Sequence, residues 1–133
     1  MSDLELMREA EQARKRSYAP YSGFCVGAAL LGTSGKIYTG CNIENAAFSP
    51  TVCAERVALF KAVSEGERAF AAIAVTGGKA GEDPSFCAPC GVCRQVLAEF
   101  CDADFRILLG SSEHVQVLTL GELLPASFGN EMK

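Results

Sequence analysis

Short apolar blocks separated by polar turns run along the chain and predict alternating helices and strands. Residues 3–16 predict a helix, because acidic side chains occupy the first turn and basic ones the last, and Ser2 or Asp3 can cap the start. Two apolar runs joined by Gly32-Thr33-Ser34-Gly35 predict a strand hairpin. The predicted strands are 26–31, 36–41, 71–76, 106–109 and 115–119. The later predicted helices are 52–65, a segment opened by Pro89, and 120–124. A loop is predicted over 77–85.

The order of these elements predicts an α/β fold. A mixed five-stranded sheet lies between helices in a three-layer α/β/α sandwich. The alternation of helix and strand after the second strand favours parallel neighbours joined by crossovers. With 133 residues and no linker or repeat, the chain is expected to form a single domain over 1–133.

Composition and charge narrow the class of protein. Hydrophobic residues make up 49% and charged residues 21%, which is a globular composition. The net charge is -4, and the basic run Arg14-Lys15-Arg16 is too short for a nucleic-acid surface. No apolar run approaches the ~18 residues of a membrane span, and the start does not resemble a signal peptide. We therefore expect a cytoplasmic protein that binds neither nucleic acid nor membrane.

Seven cysteines in such a chain point away from a disulfide framework and toward packing or metal binding. Cys90 and Cys93 are three residues apart at a predicted helix start, so both sulfurs can bind one metal ion. Cys53, at the start of another predicted helix, is the natural third ligand. Three thiolates on zinc would leave a fourth position for water, the arrangement of a catalytic site.

Glu55 supplies a carboxylate that can move a proton beside such a metal. On a regular helix Cys53 and Glu55 would point about 200° apart, so the interpretation requires Cys53 to lie in a frayed first turn. Three thiolates and Zn²⁺ sum to a charge of -1. Arg56 and Arg94 are therefore placed just outside the ligand shell, where either guanidinium could donate to a sulfur and withdraw charge.

Other roles for the cysteines stay open at this point. The run Cys87-x₂-Cys90-x₂-Cys93 suggests an iron–sulfur cluster, but the ferredoxin pattern continues with x₃-C-P, whereas Cys101 follows after seven residues. A closed structural zinc site, with Cys87 or another thiol as fourth ligand, is a second alternative and would leave Glu55 without a role. Cys25, Cys41 and Cys101 are predicted to pack in the core. The single histidine, His114, is predicted to lie at the surface or at a strand edge.

The segment Cys53-Ala54-Glu55 followed by Pro89-Cys90-x-x-Cys93 matches the zinc deaminase signature, with cysteine in place of the more usual first histidine. Further motifs, at residues 21–30, 40–46, 89–95 and 123–128, extend the match over nearly the whole chain. Together they resemble the small homotetrameric zinc-dependent cytidine deaminases.

This resemblance implies the cytidine deaminase-like sandwich and a reaction. Cytidine and deoxycytidine would be hydrolysed to uridine and deoxyuridine plus ammonia, in pyrimidine salvage, by zinc-activated water attacking C4. It implies one Zn²⁺ per subunit on Cys53, Cys90 and Cys93, with Glu55 moving protons between water, ring N3 and the leaving ammonia. A deaminase of another cytosine nucleoside, such as blasticidin S, or a structural zinc module that presents a surface to a partner, remains an alternative.

The resemblance also implies substrate contacts and a homotetramer. Asn42 and Glu44 would bind ribose hydroxyls, Phe24 would pack near the nucleoside, and the backbone near Ala54 would contact the base. Phe128 would reach the site of a neighbouring subunit. The sequence departs from the family in two places: a phenylalanine stands at position 48, where tyrosine is common, and the loop 77–88 is longer than usual and carries Cys87.

Overall fold

A five-stranded mixed sheet forms the centre of the molecule. In the computed structural model, which describes residues 1–129, the strand order is β2-β1-β3-β4-β5. The elements in chain order are α1 (Asp3–Arg14), β1 (Phe24–Gly32), β2 (Ile37–Cys41), α2 (Ala54–Ser64), β3 (Phe70–Lys79), α3 (Gly91–Phe100), β4 (Arg106–Ser111), β5 (His114–Thr119) and α4 (Leu120–Leu123). Residues 130–133 of the predicted domain lie outside the described residues.

Strand directions confirm the mixed sheet, and they confirm parallel neighbours for the crossover through α3 but not for the crossover through α2. Strand β1 is antiparallel to both β2 and β3, and β4 is antiparallel to β5. Among the strand pairs of residues 1–129, β3–β4 alone is parallel. The crossover through α2 does join strands that run in the same direction, β2 and β3, but β1 lies between them. The alternation of helices and strands along a sequence does not reveal that an earlier strand lies between two later neighbours.

Two hydrophobic clusters, one on each face of the sheet, create the three layers. Helix α1 packs Leu6, Met7 and Ala10 against one face. Helices α2, α3 and α4 cover the other face, where β1 contributes Ala28 and Leu30. Residue Ala29, between these two, belongs to the α1 cluster, as the alternation of side chains along a strand requires.

Helix α1 is fixed to the sheet at both of its ends. Its start has a capping box, in which Ser2 and Glu5 each accept a backbone N–H from the other. Asp3 forms a bidentate ion pair with Arg106 of β4, and this pair lowers the pKa of the Asp3 carboxyl. The helix ends at Arg14, two residues before the predicted boundary. Its last turn lies directly on Gly27 of β1.

Strand β3 continues through residues that the sequence assigned to a loop. Gly77 and Gly78 pair with Val26 and Cys25 of β1. A Cβ atom on Gly77 would lie 3.0 Å from the Cys87 sulfur, and one on Gly78 would lie 3.2 Å from a guanidinium nitrogen of Arg14. The glycines allow close approach of other elements to a strand, which is an alternative to the turn they suggest in isolation.

No helix within residues 1–129 is long and apolar enough to cross a membrane.

Gly27→Ala is expected to destabilise the protein by about 3 kcal/mol or more, because the new methyl group would overlap backbone atoms of Ala10 and Arg14 rather than a movable side chain. Gly91→Ala is the matched control, since a Cβ there meets open space in the described structure and the residue opens a helix. Urea unfolding followed by circular dichroism measures both. Equal midpoints for the two variants would contradict the close packing of α1 on β1.

Candidate active site

Two helices on the same face of the sheet begin at cysteines. Cys53 is the N-cap of α2 and Cys90 is the N-cap of α3, and both have extended backbone angles. Neither sulfur makes a capping hydrogen bond within the described residues. Both helices therefore start later than predicted, and Cys53 lies outside the regular helix, as its predicted pairing with Glu55 requires. The sulfurs remain available for a metal ion.

The three candidate ligands come together although 37 residues separate the first two. The sulfur of Cys90 lies 3.7 Å from that of Cys53 and 3.5 Å from that of Cys93, and all three sulfurs lie within 4.8 Å of one another. Sulfurs bound to a tetrahedral zinc ion at ~2.3 Å would be roughly 3.8 Å apart. The donor set and its spacing therefore fit zinc.

Arg56 and the neighbouring thiols favour the thiolate form of Cys53. The pKa of Cys53 is lowered to about 5, and the largest cause is its hydrogen bond with the Cys93 thiol. Arg56 also lowers this pKa, because its Nη2 donates to the Cys53 sulfur at 3.4 Å. The pKa of Cys93 is raised, first by its hydrogen bond to Cys53 and then by burial. The contact of Arg56 with a sulfur is the one predicted from the sequence.

Arg94 takes a different position from the one predicted. Its Nε donates to the carbonyl of Pro89 at 2.7 Å, and its Nη1 donates to the carbonyl of Leu123 at 2.8 Å. These bonds correct the expectation of a bond to sulfur. Because α3 directs the side chain toward α4, Arg94 fixes the backbone that precedes Cys90 and acts on the cluster only through that backbone.

Glu55 is 4% exposed, and its Oε1 has no hydrogen-bond partner among residues 1–129. Burial is the main reason that the pKa of this carboxyl rises to about 7, and the charge on Cys53 adds to the rise. A buried carboxylate oxygen without a partner is uncommon in folded proteins and calls for a donor from outside the chain.

A cavity of about 240 Å³ joins this carboxylate to the cysteines. Cys53 and Cys90 line it together with Glu55. The other lining residues come from β1, the segment between β2 and α2, the first turn of α2 and the segment before α3: Phe24, Val26, Asn42, Thr51, Val52, Ala54, Cys87 and Ala88. An acid–base group and a metal-binding cluster thus share one small, concave space, as a hydrolytic site requires.

Three of the predicted substrate-binding residues line this cavity. Phe24 is 39% exposed as a residue, and the buried Ala54 belongs to the first turn of α2. Asn42 accepts from the backbone N–H of Val26 at 2.8 Å and donates to the carbonyl of Phe24 at 2.8 Å. One amide hydrogen and one oxygen lone pair of Asn42 remain for a ligand.

Glu44 lies in an adjoining cavity of about 310 Å³, which Thr51 also lines. Its carboxylate accepts from the backbone N–H groups of Tyr21 and Ser22 and from the Ser22 hydroxyl. The bond from Ser22 is the main reason that the pKa of Glu44 is lowered. Phe48 lines the same cavity and is 83% exposed.

Phe128 lies away from the cavity of its own chain. The residue is 62% exposed, and its carbonyl accepts a hydrogen bond from the side chain of Gln95. The contact with a neighbouring subunit's site stays a prediction.

The remaining cysteines divide unevenly between core and site. Cys101 is buried as predicted, but Cys25 and Cys41 are only half-buried, because they lie near the ends of β1 and β2, where α1 covers the sheet incompletely. Cys87 lines the cavity, and burial, followed by the charges of Glu55 and Cys53, raises its pKa to about 11. His114 is exposed at the start of β5, as predicted.

Comparison with known proteins identifies this arrangement. The model of the cytidine and deoxycytidylate deaminase zinc-binding region matches residues 1–109, which include Cys53, Glu55, Cys90 and Cys93. The chain belongs to this deaminase family. Two bacterial relatives named cytidine deaminase are 48% identical (Sporosarcina psychrophila, over 96% of this chain and 91% of the relative) and 51% identical (Halalkalibacterium halodurans, 95% and 93%).

Solved deaminase structures share the fold. A cytidine deaminase from Burkholderia pseudomallei superposes with a TM-score of 0.87 at 45% identity, covering 96% of this chain and all of the other. The cytidine deaminase of Mycobacterium tuberculosis gives a TM-score of 0.78 at 37% identity, covering 97% and 99% of the two chains. The resemblance and fold class predicted from the sequence are confirmed, and zinc is the metal that this family binds.

Serine substitution tests which thiols hold the metal. Cys53→Ser, Cys90→Ser and Cys93→Ser are each expected to lose tightly bound zinc, because a hydroxyl is a far poorer ligand than a thiolate. Cys87→Ser is the matched control and is expected to retain one zinc ion per chain, since its sulfur is not part of the three-thiol group. Metal analysis after gel filtration provides the measurement. Loss of zinc from Cys87→Ser would instead indicate a closed four-thiol site.

Proposed function

We propose that this protein hydrolyses cytidine and deoxycytidine to uridine and deoxyuridine plus ammonia, a reaction of pyrimidine salvage. The observation that carries the proposal is the cavity that Glu55 shares with Cys53 and Cys90 of the three-thiol cluster, beside which a buried carboxylate oxygen has no partner among the described residues. The cytidine deaminases to which the chain is similar support the choice of substrate.

The proposed reaction needs both parts of the site. Zinc held by Cys53, Cys90 and Cys93 supplies a Lewis acid that makes water nucleophilic at neutral pH. Glu55 accepts a proton from that water and delivers it to N3 of the base, and it then passes the second proton to the departing amine. The water oxygen bonds to C4 and the C4–N4 bond breaks, so that one water proton ends on N3 and the other leaves with ammonia.

The rest of the cavity suits one nucleoside. Phe24 offers an apolar face to the base, the backbone at Ala54 lies beside Glu55, and Asn42 has hydrogen-bonding capacity left for a ribose hydroxyl. We assign Glu44, in the adjoining cavity, to a second ribose contact. The small volume and the net charge of -4 favour a free nucleoside over a polynucleotide.

Turnover of cytidine by the zinc-loaded protein, followed by ultraviolet absorbance, tests the proposal. Glu55→Gln is expected to keep its zinc and lose roughly 10²- to 10⁴-fold in kcat, because the amide cannot carry protons. Glu113→Gln, an exposed carboxylate far from the cavity, serves as control and should match the wild type. A wild-type protein that binds zinc but releases no ammonia from cytidine would be a structural module, and turnover of blasticidin S alone would reassign the substrate.

We further propose a homotetramer in which neighbouring subunits complete each site. Large apolar side chains are exposed on the single chain, as expected for residues that an interface covers, and they include Phe24, Phe48, Phe60, Val92 and Phe128. The ring of Phe128 lies outside the cavity of its own chain and is thus free to enter that of a neighbour.

A mixing experiment tests the shared site. Glu55→Gln and Phe128→Ala are each expected to lower activity alone. After the two are dissociated and reassembled together, some sites combine an intact Glu55 with an intact Phe128 from a neighbour, so activity should rise above that of either parent. Sedimentation velocity should give a tetramer. A fully active monomer, or mixtures no better than their parents, would contradict shared sites.

The proposed function also includes the domain organisation and the cellular compartment of the enzyme. We infer that residues 1–133 act as a single cytidine deaminase-like domain in the cytoplasm, where the reducing environment keeps cysteine ligands in the thiol form that zinc requires.

A further inference from the structure

Arg14, the last residue of α1, joins the ends of two strands. Its Nε donates to the carbonyl of Cys25 in β1 at 3.0 Å, and its Nη2 donates to the carbonyl of Lys79 in β3 at 2.9 Å. These two carbonyls lie at the same end of the antiparallel β1–β3 pair, where Phe24 faces Lys79 and Cys25 faces Gly78. One planar guanidinium therefore spans the end of the ladder.

The backbone around Arg14 is shaped to hold it there. Gly78 leaves space for the guanidinium, because a Cβ at that position would lie 3.2 Å from Nη2. Gly27 lets the main chain of Arg14 rest on β1, because a Cβ there would lie 2.8 Å from the Arg14 Cα. Both the main chain and the side chain of this residue are thus fixed against the sheet.

The two strand ends that Arg14 joins lead directly to two walls of the candidate cavity. Phe24, which lines the cavity, precedes Cys25 in the chain. After Lys79 the loop folds back and pairs Ser85 with Gly77, and it then runs to Cys87, which also lines the cavity. Built from Gly77, a Cβ would lie 3.0 Å from the Cys87 sulfur and 3.1 Å from the Phe24 ring, so these walls meet over that glycine.

We propose that Arg14 is a positioning residue for substrate binding: by joining β1 to β3, it holds Phe24 and the loop that carries Cys87 at the spacing a nucleoside requires. This inference rests on the proposed deaminase function. Arg14 does not line the cavity and acts through the two strand ends. The metal ligands and Glu55 are held separately, by the starts of α2 and α3, so loss of Arg14 should weaken substrate binding and leave the chemical step intact.

Arg14→Gln tests this role, and the matched control is an arginine of β4 that binds the opposite end of helix α1. Arg106→Gln breaks the ion pair with Asp3 and so loosens the start of α1 without touching the cavity. We expect Arg14→Gln to raise KM for cytidine roughly tenfold, with kcat and zinc content within about twofold of the wild type. Arg106→Gln should leave KM within about twofold.

Arg14→Lys is the second variant. Its single ammonium should hold one strand end at most, which predicts an intermediate KM, and it replaces Arg14→Gln in the comparison if the glutamine variant does not fold. An unchanged KM in the Arg14 variant that folds would overturn the proposal. An equal rise in the Arg106 variant, or a parallel loss of kcat and zinc, would do so too, because either result would indicate a general effect on stability.

Amide hydrogen exchange supplies a measurement that does not depend on activity. The N–H of Ala80 donates to the carbonyl of Gly23 at 2.7 Å, directly beside the atoms that Arg14 holds. Exchange at Ala80 should accelerate in Arg14→Gln and not in Arg106→Gln. If wild-type protein fails to turn over cytidine, the proposed function fails, whereas the anchoring of the strand ends by Arg14 is still decided by exchange. Equal exchange rates in both variants would refute that anchoring.

Discussion

The start of two helices at one place on the sheet is the constraint on which the rest of the structure depends. Cys53 and Cys90 each end an extended segment and are also the N-cap of a helix, so neither side chain lies within the regular helix. The two sulfurs are 3.7 Å apart. Free N–H groups and the positive ends of both helix dipoles then surround the sulfurs, which favours thiolates. Strand β2 supports this arrangement through Gly40, over which the first turn of α2 passes too closely for any side chain.

Charge balance follows from the same placement. A cluster of thiolates is strongly negative, and Glu55 adds a buried carboxyl nearby, so the free energy of the site depends on compensation from Arg56 and the helix ends. Arg56 reaches a sulfur because it lies one helical turn after Cys53. Arg94 serves the same region differently, by holding the backbone before Cys90 in place. The two arginines show that adjacency in sequence to a ligand does not determine which atom a side chain contacts.

Much of the fold and the centre of the site could be predicted from the sequence because their signals are local. Helix periodicity, the Gly32–Gly35 turn and the spacing of Cys90 and Cys93 depend on neighbouring residues. What could not be predicted depends on contacts between distant segments. Gly77 and Gly78 resemble loop residues until Cys87 and Arg14 are seen to lie over them. The position of β1 between β2 and β3 is equally invisible along the chain.

Two glycines at neighbouring positions of the β1–β2 ladder have an evolutionary consequence. Gly27 lies against the backbone of α1 on one face of the sheet, while Gly40, beside it in the ladder, lies against the backbone of α2 on the other. At this point the three layers are spaced by main-chain atoms, whose dimensions are the same in every protein. Side chains elsewhere in the two cores can therefore drift over generations without changing the depth at which Cys53 and Glu55 sit. A descendant could diverge widely in its hydrophobic residues and keep the same site, provided these two glycines persist.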